Sequence, residues 1–257
     1  MTSITRQIGV AAALLMLGAT TGARADEISV LSASAVKTVL ADLAEAYRRE
    51  TGKPVKLSFA TAGEVEKRVL AGDAADVMVG TDLSTEKLAG QGLLQADTRS
   101  IIARVGVGIG AREGAPKPDI SNPDALKRTL LAAKSVTYPD PARGGASGIH
   151  FAKVIDQLGI AQPVRDKSVL GANPDFVCVA VAKGEVELCV HQISEIMPVK
   201  GVTLVGPLPK EVQRVTTFAI ALSAKSTTPD ARAFLAYVTR PAFKAKFAEA
   251  GLDYRVD

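Results

Sequence analysis

The chain has 257 residues, and its 31 Lys and Arg residues against 27 Asp and Glu residues give a formal net charge of +4 at neutral pH. The basic residues are dispersed along the chain, which argues against the concentrated positive face of a nucleic-acid-binding protein. Apolar residues make up 47% of the chain, enough for a sizeable core. The absence of Trp and an aromatic content of only 4% weigh against a sugar or oligonucleotide site built on ring stacking.

The first 25 residues have the pattern of an export signal. Arg6 precedes a short apolar run, and the segment ends with Ala23 and Ala25 in the A-x-A arrangement of a cleavage site. The apolar run is shorter than the roughly 20 residues that a membrane-spanning helix needs. We therefore predict that residues 1–25 are a cleaved signal peptide and that the mature chain begins at Asp26 and is released into the periplasm.

Short apolar runs then alternate with helical patterns, which is typical of βα units arranged around a mostly parallel sheet. The first series has predicted strands at residues 28–33, 55–60 and 75–80, each followed by a helix. The second series has predicted strands at residues 135–140 and 202–206, again with helices between them. The sequence therefore predicts the α/β fold class.

Two long strands predict that the chain passes twice between two halves of the molecule. A strand over residues 100–110 leads through a proline-rich stretch into the second series, and a strand over residues 215–224 leads back to two terminal helices. We predict two lobes, each a mostly parallel sheet flanked by helices, with the two crossover strands forming a hinge beside a cleft. Lobe 1 comprises residues 26–108 and 216–257, and lobe 2 comprises residues 109–215.

Small or polar residues at four strand-to-helix turns predict an anion site in this cleft. A helix start exposes unpaired N–H groups and the positive end of the helix dipole, so it binds anions without a fixed positive charge. In open α/β sheets such turns gather at the carboxyl ends of the strands. Ser, Thr and Asn are also ordinary helix caps, which is the structural alternative for each turn. The turns are Ser32/Ser34, Thr61-Ala62-Gly63, Ala146-Ser147-Gly148 and Asn173-Pro174.

The molybdate-binding proteins of ABC importers begin with a run that resembles LSASAVKTVLADLAEAYRRETGKPVKLSFATAGEVEKRVLAGDAADVMVGTD. The resemblance continues through PDPARGGASGIHFAKVIDQLGI and KGEVELCVHQISEI to the C-terminal helices. It implies the two-lobed fold of the type II periplasmic binding proteins and an oxyanion held by hydroxyls and backbone amides. It also implies an inner-membrane ABC permease as partner. We expect a monomer that uses no cofactor.

The resemblance places the ligand donors of the family on particular residues of this chain. The ligand-binding tyrosine of the family falls near His191, which Gln192 follows, and the amide of the fourth turn falls on Pro174, which has no N–H. The donors of the first three turns fall on Ser34, on Thr61, Ala62 and Gly63, and on Ser147 and Gly148.

Two of the candidate residues leave the chemical class of the ligand open. Arg143 lies just ahead of the third turn. It either makes a bidentate contact with a carboxylate of the ligand or is a solvated loop arginine. His191 is either a ligand contact or a buried histidine with structural partners. The candidate ligands are therefore a metal oxyanion of the molybdate or tungstate type and a small organic carboxylate.

The sequence offers little support for an enzyme or a metal site. GGASG lacks the spacing of a nucleophile elbow, and His150 and His191 have no partners at zinc-ligand spacing. The glycines at positions 106, 108 and 110 do not open into a helix, as a dinucleotide-binding loop would. We expect a transport receptor with no catalytic residues, and the alternative is a periplasmic sensor subunit that reports the ligand to a membrane kinase.

Cys178 and Cys189 are the only cysteines of the chain. The first falls on a predicted helix and the second on the following strand, so the two can meet where the helix packs on the sheet. In an oxidising compartment the two can form a disulfide, which is one hypothesis. The alternative is that both are small buried apolar residues.

Overall fold

We analysed a computed structural model that describes residues 27–73, 75–171, 173 and 176–254. The predicted signal peptide, its cleavage site and Pro174 lie outside the described residues. In the described part of the chain, no helix is long and apolar enough to cross a membrane.

The described strands form one continuous hydrogen-bonded array. They are Ile28–Ala33 (β1), Val55–Ala60 (β2), Val77–Thr81 (β3), Ser100–Arg112 (β4), Val136–Pro139 (β5), Ser168–Gly171 (β6), Leu188–Gln192 (β7), Val202–Pro207 (β8), Val215–Leu222 (β9) and Asp253–Tyr254 (β10). Their order is β2-β1-β3-β9-β4-β7-β5-β6, and β8 and β10 also pair with β4. The long strand β4 therefore joins the two halves of the array.

The described α-helices cover both halves. The first of them buries Val39, Leu40, Leu43 and Tyr47 along one face and ends where Gly52 adopts the left-handed conformation that favours glycine. The helices are Lys37–Thr51 (α1), Ala62–Leu70 (α2), Asp82–Gly90 (α3), Pro123–Ala132 (α4), Ala146–Gln157 (α5), Ala161–Arg165 (α6), Val177–Ala182 (α7), Ile193–Ile196 (α8), Pro229–Val238 (α9) and Lys244–Glu249 (α10).

The strands inside each lobe and the two crossover strands run in different directions. β1 runs parallel to β2 and β3, and β5 runs parallel to β6 and β7. The crossover strands β4 and β9 are antiparallel to each other, and each is antiparallel to its neighbour in the lobe sheets. The predicted parallel arrangement is therefore found in the βα units, whereas the strands that carry the chain between lobes run against it.

Two separate hydrophobic cores flank the crossing. β4 contributes Ile102 and Val105 to the first core, which also contains residues of α1, α9 and α10. The same strand contributes Val107 and Ile109 to the second core, together with residues of α4 and α5. The two-lobed α/β fold predicted from the sequence is confirmed, and β4 passes from one core to the other between Val105 and Val107.

The glycines of β4 allow close packing and do not form a nucleotide-binding loop. A Cβ atom on Gly108 would lie 2.9 Å from the carbonyl oxygen of Gly206, and one on Gly110 would lie 2.8 Å from Cys189 Sγ. Real Cβ atoms do not approach this closely, so neighbouring elements pack directly on the backbone of β4.

A disulfide joins Cys178 on α7 to Cys189 on β7, with the Cα atoms 5.4 Å apart. Both cysteines are fully buried in a small core with Val177, Val181 and Ile196. The bond ties α7 to the strand that leads, two residues later, into His191.

Candidate functional site

The carboxyl ends of β1, β2, β5 and β7 meet around a cleft between the lobes, which we call the central cleft. Its volume is about 310 Å³, a figure that includes space open to solvent. Its described lining includes no Lys or Arg side chain. The lining residues are Ala33, Ser34, Ala35, Thr61, Ala62, Pro139, Gly145, Ala146, Ser147, His191, Gln192, Glu195 and Phe218.

The lobe 1 wall consists of neutral groups at two strand ends. Ser34 follows β1 directly, is buried, and donates its hydroxyl hydrogen to the carbonyl oxygen of Ala60 at 3.1 Å. Thr61 follows β2 and caps α2, because its Oγ1 accepts a hydrogen bond from the backbone N–H of Glu64 at 3.2 Å. The positive end of the α2 dipole therefore lies at the cleft.

The lobe 2 wall begins with the start of α5. Ser147 lies in its first turn, is buried, and has its Oγ 3.4 Å from His191 Nδ1. A Cβ atom on Gly148 would lie 1.9 Å from the carbonyl oxygen of Pro139. Gly148 therefore lets the first turn of α5 pack against the end of β5, and this positions the helix start at the cleft.

His191 and Glu195 form a pair in the same wall. β7 ends at Gln192 and α8 follows at once, so the side chain of Glu195 lies one helical turn beyond His191 and reaches back to it. His191 Nδ1 lies 3.1 Å from Glu195 Oε2, and the two side chains are 3% and 12% exposed. His191 Nε2 is fully buried and has no hydrogen-bond partner among the described residues.

Three groups lie near His191 Nδ1, and of these the Ser147 hydroxyl can either donate or accept, whereas the other two make opposite demands. The backbone N–H of Gln192 donates to Nδ1 at 2.8 Å, which requires a lone pair on Nδ1, whereas a hydrogen bond to Glu195 requires a proton there. We assign the lone pair to Nδ1 because the contact with Gln192 is the shorter one. The neutral ring then carries its proton on Nε2, and the imidazolium form carries a proton there too, so in both forms Nε2 is a hydrogen-bond donor.

Gln192 contributes an acceptor to the cleft. Its side chain is buried, and its Nε2 donates to Thr216 Oγ1 at 3.2 Å. Its Oε1 is buried without a hydrogen-bond partner in the described structure. The lobe 2 wall therefore has both donor and acceptor groups that a ligand can satisfy.

The two walls touch at a pair of glycines, Gly63 and Gly144, which we call the glycine latch. The backbone N–H of Gly63 donates to the carbonyl oxygen of Gly144 at 3.1 Å, and Thr61 Oγ1 donates to the carbonyl oxygen of Arg143 at 2.7 Å. A Cβ atom on Gly63 would lie 2.8 Å from Gly144 Cα. The lobes can approach this closely only where neither position has a side chain.

The structure brings most of the predicted site residues together. Gly63 lies in the latch, Gly148 lies in the first turn of α5 where it packs on the end of β5, and the side chain of Arg143 is exposed and outside the lining of the cleft. Sequence reasoning missed Glu195, although its position four residues after His191 at a helix start was the available signal. The predicted residues that line the cleft are Ser34, Thr61, Ala62, Ser147, His191 and Gln192.

No group of three or more His, Cys, Asp or Glu side chains that could hold a metal ion occurs in the described part of the chain.

A family model for bacterial extracellular solute-binding proteins matches residues 28–253. The chain belongs to this family. It is 32% identical over 235 residues to an aconitate isomerase of Pseudomonas sp., an alignment that covers 88% of this chain and 87% of that protein. It is 23% identical over 235 residues to the molybdate-binding protein ModA of Escherichia coli (strain K12), with coverage of 90% and 91%.

The fold is similar to that of the periplasmic molybdate-binding protein of Azotobacter vinelandii. The TM-score is 0.76 at 19% sequence identity, and the match covers 90% of this chain and all of that one. The resemblance to molybdate-binding proteins inferred from the sequence is confirmed, and the chain is a solute-binding protein.

Proposed function

We propose that this protein is a periplasmic receptor that captures a small anion in the central cleft and delivers it to an ABC permease. The observation that carries the proposal is the buried Nε2 of His191, which has no partner among the described residues and lies in the cleft with the hydroxyls of Ser34 and Ser147. The starts of α2 and α5 add backbone N–H groups and positive dipole ends. Donors from both lobes therefore converge on one ligand.

The chemistry of the cleft suits an anion better than a sugar or a cation. Phe218 is the one aromatic residue other than His191 in the described lining, so a sugar ring has no stacking platform of the usual kind. Glu195 is the one carboxylate there, which falls short of the several oxygen ligands that cations such as calcium require. The metal oxyanion and the small carboxylate remain the two candidate ligands.

A thermal-shift screen with oxyanions and small di- and tricarboxylates tests the anion site. A ligand at 100 times its dissociation constant adds about 2.7 kcal/mol of stability, which is readily detected as a rise in Tm. We expect at least one anion to stabilise the protein. Stabilisation by neutral sugars or cations alone would contradict the proposal.

The delivery step distinguishes a transport receptor from a sensor subunit. We expect the ligand-loaded protein to stimulate ATP hydrolysis by an ABC permease of the same cell reconstituted in vesicles. Stimulation of a membrane kinase instead would identify the sensor alternative.

Two further measurements test export and closure of the lobes. N-terminal sequencing of the exported protein should begin at Asp26, and small-angle scattering should show compaction on ligand binding because the ligand contacts both lobes.

A second candidate function is isomerisation of an unsaturated carboxylate. It is favoured by the pairing of His191 with Glu195 inside the cleft and by the 32% identity to a protein named aconitate isomerase. In such a reaction a base removes a proton from the carbon next to the double bond and returns a proton to the far carbon, so no atom is gained or lost. His191 Nε2 would be that base only in the other neutral tautomer, in which the ring proton lies on Nδ1 and is donated to Glu195 instead of the lone pair accepting from Gln192.

The two functions predict different results with the same compound. Under the isomerase hypothesis, incubation with cis-aconitate in deuterated water gives the trans isomer with deuterium on carbon. NMR spectroscopy detects both the isomer and the deuterium. His191→Asn would abolish this exchange and leave the circular dichroism spectrum unchanged. Binding of the compound without exchange would favour the receptor.

A further inference from the structure

The central cleft contains two acceptor oxygens that a fully deprotonated anion cannot satisfy. One belongs to the carboxylate of Glu195, which is 12% exposed and lies with Ser34 in the lining. The other is Gln192 Oε1, which is buried without a partner among the described residues. An anion that only accepts hydrogen bonds would leave Gln192 Oε1 desolvated and would face Glu195 as a like charge.

The charges around Glu195 compensate this repulsion only in part. His191 is the ionisable partner on the cleft side, with its Nδ1 at 3.1 Å from Glu195 Oε2. Lys37 lines a neighbouring hollow, which shares Ser34 and Glu195 with the central cleft, and is absent from the lining of the central cleft itself. The charged group that faces a ligand from this side of the cleft is therefore the carboxylate.

We infer that Glu195 selects a ligand that carries an O–H donor beside its anionic oxygens, an inference that rests on the proposed receptor function. The O–H group donates to Glu195 or to Gln192 Oε1. The anionic oxygens accept from His191 Nε2, from Ser147, and from Ser34 once its hydroxyl turns away from the carbonyl oxygen of Ala60. A hydrogen bond to an ionised carboxylate is stronger than one between neutral groups. The ligand class is that of hydroxycarboxylates or singly protonated tetrahedral oxyanions.

Calorimetric titration with matched pairs of ligands tests the inference. The pairs are malate and succinate, citrate and tricarballylate, and phosphate and sulfate near neutral pH, and in each pair only the first member carries an O–H group. We expect the first member to bind at least about tenfold more tightly, since a site that hydrogen-bonds a hydroxyl discriminates against the analogue that lacks it. The organic and inorganic pairs show which source of the O–H group the cleft accepts.

In the variant Glu195→Gln, the affinities of the two members of each pair should differ by no more than about threefold, because the amide supplies a hydrogen-bond donor to ligands that lack one. Gln192→Met, which removes the second acceptor, should reduce it independently. Glu185→Gln makes the same charge change at an exposed position of lobe 2 outside the lining of the cleft and should leave the preference intact. Circular dichroism verifies that each variant is folded.

The outcomes separate this inference from the proposed function. Equal binding of both members of every pair, or an unchanged preference in Glu195→Gln and Gln192→Met, would overturn the inference while the receptor function stands. Failure of every anion to bind would overturn both. A preference for the O–H members that disappears in Glu195→Gln would support the inference.

Discussion

The two walls of the central cleft differ in chemistry although both are built from strand ends and helix starts. The lobe 1 wall is neutral, with Ser34 and Thr61 as its polar side chains. The lobe 2 wall contains the ionisable pair His191 and Glu195, and the strand that positions this pair is tied to α7 by a disulfide. We therefore expect selection among ligands to depend more on the wall that contains His191 and Glu195 than on the neutral wall.

Removal of the disulfide should give the largest effect, because it releases the strand of the charged wall. We expect the double variant Cys178→Ala, Cys189→Ala to lose about 3 kcal/mol of the free energy of unfolding, from the entropy of the loop that the bond closes. Denaturant unfolding of the variant and of the reduced wild type measures this loss. The detection of two free thiols in denatured, unreduced protein would contradict the disulfide itself.

A side chain in the glycine latch should weaken ligand binding without weakening the fold. Gly63→Ala places a methyl group against Gly144, and overpacking of this kind costs about 1 to 3 kcal/mol. Here the cost destabilises the closed arrangement of the lobes. Alanine also favours the helix, so Tm without ligand should not fall. Gly90→Ala on α3 is the matched control, because its Cβ would meet no atom within 4 Å.

Calorimetry on Gly63→Ala and Gly90→Ala measures this difference directly. We expect a five- to thirtyfold weaker affinity for the first variant, about 1 to 2 kcal/mol, and an unchanged affinity for the second. An unchanged affinity in Gly63→Ala would show that the bound state does not use the contact with Gly144.

Single hydroxyl deletions should have smaller effects, and they compare the walls directly. Ser34→Ala in lobe 1 and Ser147→Ala in lobe 2 should each weaken anion binding by about 1 kcal/mol, the usual net value of one hydrogen bond. Arg143→Ala should have little effect, because the Arg143 side chain is exposed and lies outside the lining. A large loss of affinity in Arg143→Ala would instead indicate a carboxylate held by that side chain.

The lobes should also respond differently to acid. Burial lowers the pKa of His150 in lobe 2 below its ordinary value of 6.5, although its Nε2 bonds the carbonyl oxygen of Val212. As the pH falls through 6.5 the unfolded chain binds a proton that the folded chain resists, so the stability of the fold decreases. Unfolding measured between pH 5 and 8 should show this slope, and His150→Gln should reduce it.

At high pH we expect the fold to lose stability because a buried tyrosine of lobe 1 ionises more readily in the unfolded chain. Burial and a hydrogen bond to Glu50 raise the pKa of Tyr237 from 10.0 to about 12. Between these values the unfolded chain loses a proton that the folded chain keeps, so stability should fall as the pH rises through this window. Absorbance titration of the tyrosines follows the ionisation, and Tyr237→Phe should lack its late component.

The sequence by itself determined the βα units, the two crossings and most of the cleft lining. β1 and β2 have the predicted bounds, because short apolar runs followed by capped helical patterns specify such units locally. Ser34, Thr61 and Ser147 were found for the same reason, since they follow strand ends that must gather at one edge.

Only the tertiary structure decided which side chains act together. The contact of His191 with Glu195 is local, but it forms only because α8 begins directly after β7. The exposure of Arg143 and the approach of Gly63 to Gly144 depend on how two segments distant in sequence face each other. No local pattern encodes the distance between two such surfaces. Packing of the two lobes therefore decided which predicted residues line the cleft and where the walls touch, whereas the residues of both walls were largely given by the order of strands and helices.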